Sequence, residues 1–181
     1  GQTRQALEEA KKNRMKKLLI IQATGYRARD VRLPYKIRKR KLVGLVLPYL
    51  AALAPRGWDV SLCDDAVEEI DFNTPVDVVA ITIRTVTSLR GYEIADEFRR
   101  RGVTVVIGGP HATFNAEEVA AHADAVCVGE AEGIFARMLE DAAAGRLQKF
   151  YRRPDQASLA GIPSPRWDLI SPKITCFTGL T

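Results

Sequence analysis

The sequence predicts an α/β fold built on a parallel sheet. Five short apolar runs, each followed by turn or polar residues, alternate with segments whose apolar residues have helical spacing. Such uninterrupted runs are typical of strands buried on both faces, as parallel strands are. The clearest run is residues 103–107, VTVVI, which ends at Gly108, Gly109 and Pro110. Ligands of open α/β sheets bind at the carboxyl ends of the strands, so the segments after the strands form the candidate site.

The alternation of elements also predicts the topology. Strands are predicted at residues 17–23, 58–63, 78–83, 103–107 and 123–128. Helices are predicted at residues 42–53, 89–101, 116–121 and 131–144. Alternating strands and helices imply parallel pairing with right-handed crossovers. We therefore expect a flavodoxin-like (Rossmann-like) five-stranded parallel sheet of order 2-1-3-4-5, with helices on both faces.

Two further segments flank the predicted sheet. Residues 1–16 lack a strong apolar face and predict a helical extension outside the core, with the helix at Thr3–Arg14. From residue 147 the chain is interrupted by prolines and has no sustained period, which predicts a linker. The expected organisation is a helical extension (1–16), an α/β domain (17–146) and a Pro-rich linker (147–181).

Composition narrows the class of protein. The hydrophobic content of 46% and charged content of 27% are ordinary for a globular protein, and the net charge is only +5. Basic runs without a recognition motif or many aromatic residues do not favour nucleic-acid binding. Three widely separated cysteines, Cys63, Cys127 and Cys176, predict neither disulfides nor a zinc site. With no apolar run of the ~20 residues that a membrane span requires and no signal peptide, a cytoplasmic protein is expected.

Three loops are expected together at the carboxyl edge: residues 24–29, 85–89 and 108–113. The hydroxyls of Thr85, Thr87 and Ser88 precede a helix, where they either cap free backbone N–H groups or bind a polar ligand. His111 follows Pro110 in what is expected to be an exposed loop, so it is a candidate ligand contact. No carboxylate or second histidine stands near it at metal-ligand spacing, and no metal site is predicted.

The sequence supports neither a phosphate-binding or dinucleotide-binding loop nor the phosphorylation site of a receiver domain. The sequence contains neither a G-x-x-x-x-G-K-[ST] loop nor a G-x-G-x-x-G fingerprint. Gln22, Ala23 and Ile83 occupy the places where a phosphorylated receiver domain has acidic residues. Glu130 and Glu132, expected to start the last helix, are favoured there by the helix dipole and are not interpreted as a catalytic pair.

Several motifs resemble one family. VVIGGPHAT (105–113) and ADAVCVGEAEGIF (123–135) are the most specific, supported by LVGLVLPYLAAL (42–53), GWDVSLCDD (57–65) and YEIADEFRRRG (92–102). Over about residues 18–153 the chain resembles the N-terminal cobalamin (B12)-binding domain of B12-binding radical S-adenosylmethionine (SAM) proteins. SPRWDLI (164–170) is similar to the connector that precedes the radical SAM barrel in those proteins.

The resemblance implies a corrin ring on the carboxyl edge of the sheet, facing a radical SAM barrel domain in the same polypeptide or in a separate chain. The loop 85–89 would lie beneath the corrin, the glycine pair and residues 129–130 would border the nucleotide tail, and residues 24–26 would flank the lower face. The implied cofactor contacts are Thr24, Gly25, Tyr26, Thr85, Val86, Thr87, Ser88, Leu89, Gly108, Gly109, Pro110, His111, Gly129 and Glu130.

Two departures from the family pattern limit the expected chemistry. The Asp-x-His-x-x-Gly motif is missing, because Asp30 is followed by Val31 and Arg32, so no protein histidine is expected on cobalt. The Cys-x-x-x-Cys-x-x-Cys motif is also missing, so a [4Fe-4S] cluster and SAM would belong to another domain. The expected function is a cobalamin-binding module of a B12-dependent radical SAM enzyme, of methyltransferase type and not catalytic by itself. The alternative is a degenerate domain that binds no corrin and recognises a substrate or partner.

Overall fold

The structure is a computed structural model that describes residues 14–28, 31–38, 44–153 and 160–171. The predicted helix Thr3–Arg14 falls almost wholly outside these residues, as does Cys176. The predicted α/β class with a parallel sheet is confirmed. The six strands of the main sheet are β1 (Lys16–Gln22), β4 (Trp58–Asp64), β5 (Val78–Thr82), β6 (Thr104–Gly108), β7 (Ala125–Val128) and β8 (Phe150–Arg152).

The main sheet has the order β4-β1-β5-β6-β7-β8, and all of its pairs are parallel. The expectation of five strands in the order 2-1-3-4-5 is therefore wrong, because β8 lies beyond β7 at the edge. β8 has only three residues and no apolar run, so its sequence carries no strand signal. It is held by pairing of Cys127 with Tyr151, and it lies in the segment 147–181 that was expected to be a linker.

Helices cover both faces of the sheet. They are α1 (Val46–Leu53), α2 (Ser88–Arg100), α3 (Pro110–Phe114), α4 (Ala116–Ala120) and α5 (Phe135–Ala143), with 3₁₀ turns at Thr85–Thr87 and Trp167–Leu169. One apolar cluster joins α2, α3 and α4 to the sheet through residues such as Phe98 and Val119. The other joins α1 and α5 through Leu47 and Met138. Burying both faces explains why the central strands are continuous apolar runs.

Two helix predictions differ in detail from the structure. The last helix begins at Phe135 rather than 131, because Gly133 has a φ of +72°, which is not helical. The expected loop after β6 contains helix α3, which Pro110 begins at a position where its missing N–H costs nothing.

The long polar connection after β1 contains a hairpin of β2 (Tyr26–Ala28) and β3 (Val31–Pro34). At its base the Tyr35 N–H donates to the Gly25 carbonyl at 2.7 Å. The Thr24 hydroxyl donates to the Tyr35 carbonyl at 2.9 Å. These hydrogen bonds hold the end of the hairpin, at Tyr35, beside its beginning at the edge of the main sheet.

Candidate functional site

The loops after β1, β5, β6 and β7 meet at the carboxyl edge of the sheet. A Cβ placed on Gly25 would lie 3.2 Å from the Val86 carbonyl oxygen, so the first two loops touch. The Thr85 hydroxyl lies 3.2 Å from His111 Nδ1, which connects the loop after β5 to α3. The Gly129 N–H donates to the Thr113 hydroxyl at 3.0 Å, which connects the loop after β7 to the same helix. The structure thus brings together the three loops expected at this edge.

A cavity of about 200 Å³ opens beneath this edge, between the sheet and helices α1 and α5. Its lining is mainly apolar and includes Val46 and Leu50 of α1 and Phe135 and Met138 of α5. The strands and the residue that follows β7 contribute backbone and small side chains at Ala80, Thr82, Val106, Gly108, Cys127 and Gly129. Such a cavity suits a flat apolar group that enters from the rim.

Glycines give this cavity its shape. Gly109 has a φ of +104°, and a Cβ there would lie 2.5 Å from the Ile83 carbonyl oxygen, so no other residue fits. A Cβ on Gly108 would press against Cys127 at 3.2 Å. Gly129 has a φ of +93° and faces open space, since a Cβ on it would meet no atom within 4 Å. Gly108 and Gly109 therefore allow close packing against Cys127 and Ile83, and Gly129 leaves bare backbone beside the cavity.

A second cavity of about 190 Å³ lies beside the first, where β1 and β5 are neighbours. It shares Val46, Thr82 and Pro110 with the first cavity and is also lined by Gln22 and Arg84. In a doubly wound sheet this junction is the topological switch point, because the connections from β1 and β5 diverge to opposite faces.

The segment Thr85–Leu89 divides into buried and exposed side chains. The Thr87 hydroxyl accepts the Arg84 N–H at 3.0 Å, and the Ser88 hydroxyl donates to the Thr85 carbonyl at 3.0 Å. Both buried hydroxyls are therefore used locally, but only Thr87 accepts a backbone N–H, and that N–H belongs to the 3₁₀ turn and not to α2. Val86 and Leu89 are 76% and 57% exposed, and Thr85 is exposed as well. The segment presents two apolar side chains and one hydroxyl to the rim.

His111 does not lie in an exposed loop, as the sequence suggested, but is buried in α3 with 6% exposure. Its Nε2 lies 3.0 Å from the Tyr92 hydroxyl, and its backbone N–H donates to the Ile83 carbonyl at 3.3 Å. The expectation is wrong because a proline after two glycines suggests a loop, whereas Pro110 starts a helix that turns His111 inward.

The residues after β1 are partly structural. Thr24 is buried, and its N–H donates to the Asp65 carboxylate at 3.3 Å. The Tyr26 hydroxyl has no hydrogen-bond partner among the described residues. Burial, followed by the nearby Glu93 carboxylate, raises the pKa of Tyr26, so its hydroxyl stays protonated.

An ion-pair cluster that was not predicted from the sequence lies behind these loops. Asp65, fully buried at the end of β4, accepts two hydrogen bonds from the Arg90 guanidinium at 3.0 and 3.1 Å. Lys36 Nζ donates to Asp65 Oδ1, which also accepts one of the Arg90 bonds, at 3.1 Å. Burial alone would raise the pKa of Asp65, but Arg90 and Lys36 lower it on balance. The acidic residues that end β4 were the available signal, but their partners are distant in sequence.

Glu130 and Glu132 precede α5 instead of starting it. Glu130 is exposed beside Gly129. Glu132 accepts a hydrogen bond from the Tyr49 hydroxyl of α1, and this bond, followed by burial, raises the pKa of Tyr49 to about 12. The Tyr49–Glu132 hydrogen bond therefore joins α1 to the loop at the mouth of the cavity.

Within the described ranges, no group of three or more His, Cys, Asp or Glu residues could hold a metal ion. Burial raises the pKa of the Cys127 thiol to about 12, so it is protonated and not nucleophilic. No helix in the described part of the chain has the length and apolar character to cross a membrane.

Comparison with known proteins identifies relatives with named activities. The chain is 43% identical over 118 residues to a bacteriochlorophyllide d C-8(2)-methyltransferase of Chlorobaculum tepidum, covering 65% of this chain and 26% of that protein. It is 31% identical over 124 residues to a bacteriochlorophyllide d C-12(1)-methyltransferase of the same organism, covering 67% of this chain and 27% of that protein. An uncharacterised methyltransferase of Pyrococcus horikoshii is 29% identical over 154 residues, with coverage of 70% and 34%.

The chain thus spans about a quarter of the length of the first two relatives. The model of the B12 binding domain matches residues 41–139, from the segment before α1 to α5. This match includes the glycines and the cavity at the carboxyl edge and covers more than half of the chain. The protein belongs to the B12-binding domain family.

Proposed function

We propose that this chain is the cobalamin-binding module of a methyltransferase. The observation that carries the proposal is the apolar cavity of about 200 Å³ under a rim of bare glycine backbone. Cobalamin has a flat aromatic base on its nucleotide tail, and the cavity between α1 and α5 fits a group of that kind. The family match over residues 41–139 supports the same ligand.

The residues at the edge have distinct proposed roles. Gly108, Gly109 and Gly129 let the tail pass close to the backbone as it enters the cavity, and Pro110 and Glu130 lie at the same entrance. Val86 and Leu89 present apolar surface to the corrin from the exposed turn before α2. Thr87, Ser88 and Thr24 hold the loops in place through their local hydrogen bonds. Gly25 and Tyr26 adjoin this turn from the hairpin side.

We further propose that cobalt receives no protein histidine. The chain has two histidines, and each is engaged elsewhere. His111 is buried between Thr85 and Tyr92, and His122 Nδ1 lies 2.9 Å from the Asp96 carboxylate. Neither imidazole is available beneath a ligand on the rim.

The complete methyltransferase would need chemistry that this chain lacks. When bound, cobalamin supplies a methyl group for transfer to an acceptor. The relatives named as methyltransferases are about four times as long as the matched part. We propose that a radical SAM barrel with a [4Fe-4S] cluster and SAM faces the rim and completes the reaction. The names of those relatives make a tetrapyrrole the first acceptor to test.

The test is retention of hydroxocobalamin and methylcobalamin by the purified protein after desalting, followed by the visible spectrum. Ala131 lines the cavity, so Ala131→Phe should fill it and lower retention at least tenfold. Ala143→Phe, on the exposed side of α5, is the matched control and should bind as the wild type does. We expect a spectrum without histidine coordination.

Two results would contradict the proposal. Folded wild-type protein that retains no cobalamin would favour a domain that binds no corrin. Equal retention by Ala131→Phe and the wild type would mean that the cavity does not take the nucleotide tail.

A further inference from the structure

A chain of hydrogen bonds runs from the protein surface to the rim. The Tyr92 hydroxyl donates to Glu118 Oε1 at 2.8 Å and lies 3.0 Å from His111 Nε2. The other ring nitrogen of His111, Nδ1, lies 3.2 Å from the Thr85 hydroxyl. Glu118 is 56% exposed, whereas His111 is buried and Thr85 is exposed at the rim. The chain of hydrogen bonds therefore links Glu118 on α4 to the rim through α2 and α3.

The Glu118 carboxylate, at the surface end of this chain of hydrogen bonds, determines which group donates and which accepts in each of them. The hydrogen bond from Tyr92 is the main cause that lowers the pKa of Glu118, so this group is ionised and can only accept. The single Tyr92 proton points to Glu118, which leaves the phenol oxygen as an acceptor. His111 Nε2 must then carry a proton and donate it to Tyr92. In a neutral imidazole, Nδ1 is consequently an acceptor.

Asn115 leads independently to the same tautomer. Its side-chain nitrogen lies 3.4 Å from the His111 carbonyl oxygen, which requires the NH₂ group and not the amide oxygen at that place. The same NH₂ group lies 3.2 Å from His111 Nδ1. An NH₂ group cannot accept a hydrogen bond, so a protonated Nδ1 would face a second donor; this placement favours an unprotonated Nδ1.

We propose that the Glu118–Tyr92–His111 chain directs the Thr85 hydroxyl proton into the protein, so that Thr85 presents only an acceptor to the rim and selects a ligand N–H donor. Nδ1 has one lone pair; the Asn115 NH₂ group can donate to the His111 carbonyl instead, whereas the single Thr85 hydroxyl proton takes the Nδ1 lone pair. The remaining lone pairs of Thr85 suit the primary amides that surround a corrin ring and disfavour a carboxylate at the same place. This inference rests on the proposed cobalamin site and assigns Thr85 to specificity and His111 to positioning.

The tautomer can be tested without any ligand. Nitrogen-15 NMR of histidine-labelled protein distinguishes Nδ1–H from Nε2–H imidazole, and His122→Gln assigns the two signals. We expect His111 as the Nε2–H tautomer, with the Nε2 signal shifted in Tyr92→Phe, which removes the nearer acceptor and leaves Glu118 Oε1 at 3.5 Å. An Nδ1–H tautomer for His111 would overturn the inference whether or not cobalamin binds.

Selectivity is tested with cobalamin and its monocarboxylates, in each of which one side-chain amide is hydrolysed. Wild-type protein should bind at least one monocarboxylate about tenfold more weakly than cobalamin, as expected for an unmatched polar contact. Thr85→Val should reduce this ratio toward one, and Thr85→Ser should keep it. His111→Ala should also reduce the ratio, because the Thr85 proton is then free to turn outward.

The outcomes separate this inference from the proposed function. Wild-type protein that binds no cobalamin would overturn both. Wild-type protein that binds cobalamin, with the same amide-to-carboxylate ratio in Thr85→Val, would overturn only the role of Thr85. A ratio that depends on the Thr85 hydroxyl and on His111 would support it, since a purely structural role would change all affinities together.

Discussion

The buried carboxylate of Asp65 holds three separate pieces of chain together behind the site. It contacts Lys36 after the hairpin, Arg90 on α2 and the backbone of Thr24 after β1. A buried charge is stabilising only when it is fully paired, and loss of one partner leaves the others uncompensated. The position of the rim loops therefore depends on a side chain that does not reach the rim.

Asp65→Asn should lower the free energy of unfolding by about 3–5 kcal/mol at neutral pH, the usual cost of breaking a buried ion pair. The pKa of Asp65 is lower in the folded protein than in the unfolded chain. Its stabilisation is therefore full above the unfolded pKa of about 3.9 and is lost as pH falls through the folded value. Urea unfolding at neutral pH and at successively lower pH should show the difference from wild type shrinking in the acidic range.

Asp96→Asn is the control for this measurement, because Asp96 is exposed and paired only with the partly exposed His122 among the described residues. Its urea midpoint should stay near that of the wild type. If Asp65→Asn lost the same free energy at every pH, ionic stabilisation through Asp65 would be refuted.

At the scale of elements, helix α2 lies unusually close to the end of β5. Gly91 makes this approach possible, since a Cβ there would overlap Ile83 Cγ2, and Ile83 is buried. The Ile83 carbonyl in turn receives the His111 N–H, so α2, β5 and α3 meet at one point. The exposed turn that carries Val86 begins next to this contact.

Gly91→Ala should destabilise the protein although alanine is the better helix former. The overlap should cost about 1–3 kcal/mol as overpacking, against a gain of about 1 kcal/mol in helix propensity. Gly44→Ala is the matched control, because its Cβ would have only an ordinary contact of 3.7 Å with Gln22. Chemical denaturation compares the two variants, and a Gly91→Ala protein more stable than wild type would contradict the packing argument.

Elements differ in how far their sequence determines them. Strands such as β5 and β6 were predictable because both faces are buried and the apolar run is continuous. β8 was not predictable, since Tyr151 is its only buried residue. The position of β8 depends on pairing with β7 and on the hydrogen bond from the Tyr151 hydroxyl to Asp141. At the site, the glycines were predictable from their local pattern, whereas the inward turn of His111 depends on Tyr92, which is distant in sequence.

At the scale of the whole described domain, the six-stranded main sheet lies between two apolar layers. Cys63 belongs to the layer with α2, α3 and α4, and Cys127 belongs to the layer with α1 and α5. Burial is the main cause that raises the pKa of each thiol to about 12. Each layer thus contains a protonated, buried thiol, and the reactivity of that thiol reports when the layer opens.

Both thiols should become reactive at the same urea concentration if the two layers unfold together, as small single domains usually do. The measurement is labelling with a thiol reagent in a Cys176→Ser background, followed by mass spectrometry of the separate peptides. The folded protein should be labelled slowly at both sites, since only the thiolate reacts. Labelling of Cys127 at a clearly lower urea concentration than Cys63 would indicate that the α1 and α5 layer opens by itself.

The hairpin β2–β3 is a suitable place to insert a tag or reporter by protein engineering. Its two ends are joined by the hydrogen bond from the Tyr35 N–H to the Gly25 carbonyl. The main sheet therefore does not depend on the residues that connect β2 to β3. Lengthening the connection between two strands adds only a small entropic cost, which grows slowly with its length. A peptide tag or small reporter domain grafted between residues 28 and 31 should leave the sheet intact while standing beside the rim. Such a fusion would give a ligand-responsive sensor in which occupancy of the rim is read from the inserted reporter.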